Sequence, residues 1–286
     1  MIKELTSLRG IFIFFIFFHH CLNLFPGGGT MGVAFFFVLG GFSMTLGYKD
    51  KVLQQGFSYK QYLLKRCIKF YPLHWLCLLA ALPIALSAFH LKQIPVFFLN
   101  GALLQTWMPE ESVYFSFNAV SWYLADTLFF AIVFPLLIKG IEKVKTWPKM
   151  SKIVVTILLV AVYLAVILLT PTVNYHYVLY ICPLMRLFDF IIGVFLALGY
   201  LRWKDKPKDD KLLNNRLINV LIVVNIVLLI VESCLLDKTF NKIAALYWPL
   251  VATLVLLASS LSEAYDTKKR HGQMYNMVMG GGVIYC

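Results

Sequence analysis

The sequence predicts an all-α fold: a polytopic transmembrane helical bundle of about eight complete helices plus the start of a ninth, with a cytoplasmic N-terminus. Three observations predict it. First, the chain is 60% hydrophobic and only 14% charged. Too little polar sequence remains for a separate soluble domain, so residues 1–286 read as a single membrane domain. Second, apolar runs near 20 residues recur, and they are continuous rather than alternating as barrel strands would be. Third, the basic residues gather between those runs. On the predicted topology, all of the 26 Lys and Arg except Lys92, Arg186, Lys238 and Lys242 fall on the inner side, as the positive-inside rule requires. The net charge of +12 is thereby read as a topology determinant. It implies a lipid bilayer as partner and no nucleic acid.

Helix 1 is expected over Leu5 to Phe25, ending at Pro26-Gly27-Gly28-Gly29. It lacks a small-residue cleavage site and reads as a retained helix, not a signal peptide. Helix 2 covers about Gly32 to Tyr48, and its Gly40-Gly41 pair allows another backbone to approach closely. A basic loop from Lys49 to Lys69 leads to helix 3, which starts at Pro72, a residue suited to a first turn. The stretch from Leu91 to Phe117 is short of a span and interrupted by Asn100. If it crossed, the later lysine loops would lie outside, so it is expected to be re-entrant or interfacial.

Helices 4 to 8 follow at about Ala119 to Ile138, Ile153 to Thr170, Tyr177 to Leu201, Leu217 to Leu235 and Ile243 to Leu261. A last apolar run begins near Met277 and the sequence ends at Cys286. A chain cut short at the start of a ninth helix is the expectation. Six cysteines are scattered, with no disulfide or zinc spacing; no metal is expected.

Helix 1 carries Arg9, His19 and His20 inside its apolar run. Ionisable groups in a spanning helix are costly and persist with a partner or a function. Arg9 and His20 differ by ~20° around the helix and by roughly 16 Å along it, so they share a face. His19 points away from that line. A guanidinium near one surface and an imidazole deeper in suit a small anionic ligand arriving from the arginine end. Asp126 in helix 4 has no partner in its own helix, and His20 lies at similar depth. A His20–Asp126 dyad, with the carboxylate orienting a general-base imidazole, is the expectation. Arg186 and Asp189 are three apart and can pair on one face. His74 and His176 are expected to be satisfied interfacial histidines. Lys65, Arg66 and Lys69, directly before helix 3, either anchor topology or form a phosphate-binding cluster at a helix N-terminus.

Five stretches, in order, resemble the acyltransferase 3 family of integral membrane acyltransferases. Arg9 and His20 match its Arg, ten residues, His signature. Met31 to Phe42 (MGVAFFFVLGGF), Leu64 to Pro72 (LKRCIKFYP), Asn118 to Pro135 and Arg186 to Val194 are similar to its further motifs. Gly40 stands where the family usually has Ser, Asp126 where it has Glu, and Lys65 and Lys69 where it has Arg. The lysines lose bidentate phosphate geometry.

The resemblance implies transfer of an acyl group, commonly acetyl, from cytoplasmic acyl-CoA to a hydroxyl of a surface polysaccharide or its lipid-linked precursor, at a bacterial inner membrane. It makes acyl-CoA a co-substrate rather than a bound cofactor, and a carbohydrate the acceptor. It implies His20 as the catalytic residue with Asp126, and Arg9, Lys65, Arg66 and Lys69 as donor contacts. His19, Trp122, Arg186 and Asp189 are supporting residues. Midplane charges also suit a transporter or flippase that moves a lipid-linked sugar or acyl donor without chemistry, although no inverted repeat is visible.

Overall fold

The computed structural model describes residues 2–22, 28–86, 93–204, 215–236 and 247–269. The expected glycine-rich turn after helix 1, most of the third basic loop, the lysines at 92, 238 and 242, and the run from Met277 lie outside or largely outside these residues. The described residues hold helices and turns and no strand.

Among the described residues, ten α-helices run in chain order: α1 Lys3–Leu22, α2 Gly28–Leu53, α3 Tyr59–Leu86, α4 Gln93–Gly101, α5 Glu111–Tyr114, α6 Ser121–Lys145, α7 Lys149–Leu169, α8 Pro183–Lys204, α9 Asn215–Leu236 and α10 Trp248–Lys269. Among the described residues, five of these (α1, α2, α6, α7 and α8) are long and apolar enough to cross a membrane. The chain has the make-up of a multi-pass membrane protein.

Helix α2 is the hub, packed against α1, α6, α8, α9 and α10. Its closest partner is α8, and two glycines explain the approach. A Cβ on Gly41 would overlap the Phe190 carbonyl oxygen, and one on Gly193 would overlap the Val38 carbonyl oxygen. Small residues at a helix crossing let backbones meet where a bilayer supplies no hydrophobic drive. Of the expected Gly40-Gly41 pair, Gly41 makes this contact; Gly40 faces only the Phe190 ring, at 3.9 Å. Aromatic rings fill the remaining space. Phe12 of α1 stacks on Phe35 of α2 with centroids 3.8 Å apart, and Phe130 of α6 stacks on Phe190 of α8. By contrast α7 presents apolar residues around most of its surface, as a lipid-facing helix does.

Two element boundaries differ from the sequence expectation, at the start of α3 and before α8, while the stretch 93–117 is short of a span as expected. Helix α3 begins at Tyr59, so the basic stretch is helical and Pro72 lies inside the helix. Lys, Arg and Leu are good helix formers, and an internal Pro is tolerated in a membrane helix when neighbours satisfy the freed carbonyl. Lys65, Arg66 and Lys69 are therefore well past the first turn, and the helix N-terminus contributes nothing to them. The stretch 93–117 is no span: α4, a 3-10 turn at Gln105–Trp107 and α5 fold back on the bundle. Its buried polar groups hold it there. His74 Nε2 donates to the Asn100 carbonyl at 2.8 Å, and Gln105 Nε2 donates to Ser121 Oγ at 3.0 Å. His74 is thus tied down through Nε2, but the expectation of a satisfied histidine holds only in part, since its buried Nδ1 has no hydrogen-bond partner. Finally, the expected sixth helix is broken: a π-helical turn, His176–Ile181, precedes α8, which starts at Pro183.

Candidate active site

A cavity of about 820 Å³ opens where α1, α2, α6 and the π-turn meet. Helix α1 supplies Ile16, His19 and His20; α2 supplies Gly29, Thr30, Val33 and Phe36. Phe115, Trp122 and Tyr123 close another wall, and Tyr175, His176 and Tyr180 complete it. The walls are largely aromatic, with a few polar groups converging, as small-molecule sites are.

His20 is exposed to this space. Its nearest titratable neighbour is His19, whose ring stands edge-on to it at 5.1 Å. The His19 ring packs against α2, where a Cβ on Gly29 would come within 2.9 Å of it. Adjacent histidines on one helix thus both line the cavity, with His19 also packed on α2 and His20 the more exposed.

The helix carries Arg9 on the same face as His20, some three turns away. Arg9 Nη2 donates to Ser43 Oγ of α2 at 3.1 Å, and Tyr123 is its electrostatic neighbour. Tyr123 also stacks on Phe37 and lines the cavity. Tyr123 therefore neighbours both Arg9 and the cavity. Ser43 and Tyr123 were not legible as site residues. A hydroxyl in an apolar run was the available signal for the first.

Asp126 does not pair with His20. It is fully buried, and neither carboxylate oxygen has a hydrogen-bond partner. Its polar neighbours are the Thr106 hydroxyl and Arg186. The expected dyad fails because Asp126 faces the interior of the bundle while His20 faces the cavity. Arg186 Nη2 lies 2.8 Å from Asp189 Oδ2, with both side chains buried, which makes the expected ion pair. The same guanidinium stacks over Phe37 and Tyr180. Trp122, also nearly buried, packs on Tyr180 at 4.9 Å. Asp126, Arg186 and Asp189 form a polar knot behind the wall that Trp122 and Tyr180 line.

Lys65, Arg66 and Lys69 lie on one helix, α3, at spacings of three and four residues. Lys65 and Lys69 are exposed. The Arg66 guanidinium lies over the rings of Tyr48, at 4.3 Å, and Tyr62, at 5.1 Å. Cation–π stacking of this kind fixes an arginine in place. Tyr62 is itself tied down, donating to the Ala131 carbonyl at 2.9 Å.

His176 is on the cavity wall, not merely interfacial. Its Nδ1 and Tyr114 Oη share a hydrogen bond of 3.0 Å, and its ring packs against Phe115 and Tyr180. Burial holds its imidazole below the usual histidine range, against the opposing pull of Glu111. Among the described residues, no group of three or more His, Cys, Asp or Glu is placed to hold a metal ion.

The site is a half-open, largely aromatic pocket with imidazoles on its walls, in a bundle whose helices are apolar enough to cross a membrane. The acyltransferase-domain model of the acyltransferase 3 family matches residues 2–280, and the chain belongs to that family. It is 26% identical over 184 residues to a protein named acyltransferase MdmB from Streptomyces mycarofaciens. That match covers 59% of this chain and 46% of the relative, so the chain spans about half the relative's length. No solved structure matches.

Proposed function

We propose that the protein is a membrane O-acyltransferase, moving an acyl group, acetyl in the simplest case, from cytoplasmic acyl-CoA to a carbohydrate hydroxyl. The acceptor is a surface polysaccharide or its lipid-linked precursor, and the site is the inner membrane. The observation that carries the reading is His20, exposed in a half-open cavity on the same helix face as Arg9. The family supports the class of reaction. The donor's phosphates meet Lys65, Lys69 and Arg9 at the cytoplasmic end, and its acyl arm reaches the cavity. Holding donor and acceptor in one bundle turns a two-body encounter into an internal one.

His20 takes the proton from the acceptor hydroxyl as its oxygen attacks the thioester carbonyl. The C–O bond forms, the C–S bond breaks, and the CoA thiolate leaves with the proton returned by the imidazolium. A covalent acyl-imidazole would place the same residue in the nucleophile's role. Asp126 contributes from a distance, as a buried polar neighbour of Arg186 behind the wall.

The test is acetyl-CoA consumption by purified protein in detergent, wild type against His20→Ala. A loss of at least ~100-fold, the lower end of acid–base contributions, is expected. Equal rates for both would make His20 structural and end this mechanism.

A further inference from the structure

Two features of the cavity are left unexplained by His20 alone. The first is a further imidazole, beyond those of His19 and His20. His176 comes from the connection between α7 and α8, and its Nδ1 is engaged by Tyr114 Oη at 3.0 Å. Tyr114 lies 62 residues earlier on the short helix α5, itself folded back onto the bundle. Burial raises the Tyr114 phenol above its usual range, so it stays protonated at neutral pH. Either tautomer of the neutral imidazole then leaves Nε2 as one hydrogen-bonding group for the cavity. The ring begins a π-helical turn. Such turns are rare and concentrate at functional sites.

The second feature is the absence of charge. The described residues lining the cavity include no Lys, Arg, Asp or Glu. An anionic acceptor would find no counter-charge there. Rings of Phe115, Trp122 and Tyr180 offer flat apolar faces, while Thr30, His20 and His176 offer hydrogen bonds. A pyranose ring has matching chemistry, with apolar C–H faces and polar hydroxyls at its edge. The volume of about 820 Å³ lies in the range that encloses a small-molecule ligand.

We infer that His176, oriented by Tyr114, is an acceptor-positioning residue that holds a neutral, hydroxylated sugar ring against His20. The inference rests on the acyl-transfer reading and deepens it. His176 makes no bond and takes no proton in the reaction. Its Nε2 hydrogen-bonds a hydroxyl of the acceptor so that a neighbouring hydroxyl faces the His20 imidazole.

The experiment uses the full chain in detergent, acetyl-CoA as donor and methyl β-D-glucopyranoside as acceptor, with transfer followed by mass spectrometry. Loss of one orienting hydrogen bond in His176→Ala raises the KM for the glucoside about tenfold, with the larger share of the loss in KM rather than kcat. His176→Gln, which keeps a hydrogen-bonding tip, recovers part of it. Tyr114→Phe, which keeps the ring, raises KM less than His176→Ala. The methyl glucuronide is the poorer acceptor for wild type.

A fall in kcat with unchanged KM, or no change in either, overturns the role of His176. Equal KM for glucoside and glucuronide overturns the neutral acceptor. Thioester cleavage without any transfer to the glucoside overturns the inference while leaving acyl transfer standing. A wild-type protein that never cleaves acetyl-CoA removes the acyl-transfer reading itself.

Discussion

Arg186 faces two buried carboxylates, Asp189 at 2.8 Å and Asp126, its electrostatic neighbour on α6. Its ring partners, Phe37 and Tyr180, belong to α2 and the π-turn. One side chain thus joins four elements around the cavity wall. Removing one partner of a buried ion pair leaves an uncompensated charge, which costs about 3–5 kcal/mol. Arg186→Met is therefore expected to lower the thermal unfolding midpoint sharply in detergent. Adding Asp126→Asn and Asp189→Asn to the same chain removes the orphaned charges and should restore most of that loss. A single Arg186→Met variant as stable as wild type would show that the knot is not structural. His176 illustrates the opposite case at this scale. Its role depends on Tyr114, far away in sequence, so neither residue looked special in its own stretch. His20 and Arg9 were legible because an ionisable group in an apolar run is conspicuous by itself.

The crossing of α2 and α8 makes an element-scale prediction. Gly41 and Gly193 each leave no room for a Cβ, and the obstacle is backbone in both cases. Gly41→Ala or Gly193→Ala must push the helices apart, and overpacking of this sort costs about 1–3 kcal/mol or more. Gly47→Ala and Gly140→Ala, where nothing lies within 4 Å, are the controls. Yield of monodisperse protein and its unfolding midpoint should fall for the first pair and hold for the second. Equal behaviour of the two pairs would mean that the close crossing does not form.

Gly41 was visible in the sequence as a candidate contact, and the long apolar helices α6 and α7 were visible as continuous runs. The start of α3 was not. Its first turns carry Lys60, Lys65, Arg66 and Lys69 and precede Pro72, a pattern that reads as loop followed by first-turn proline. Helix propensity and the rings of Tyr48 and Tyr62 under Arg66 override that reading. The break before Pro183 was hidden because the residues of the π-turn are as apolar as those of the helix after it.

Across the whole molecule, the proposed chemistry depends on sidedness. CoA is a cytoplasmic polyanion, so Lys65 and Lys69 must face the cytoplasm and the acceptor cavity the other side. The lysine distribution predicts that orientation, and α7 provides a clean way to measure it. Its 21 residues span roughly 31 Å at 1.5 Å per residue, the thickness of a bilayer core. Lys149 begins it, and Thr172 follows its end on the connection that carries His176. Both residues are exposed.

With the six native cysteines replaced by serine, Thr172→Cys should react with a membrane-impermeant maleimide on intact cells. Lys149→Cys should react only after the membrane is opened. The reverse pattern would turn the molecule over and place His176 on the donor's side, where a sugar acceptor has no reason to bind. Reaction of both on intact cells would mean that α7 does not span, and the cavity would then lose the separation of donor and acceptor that the transfer requires.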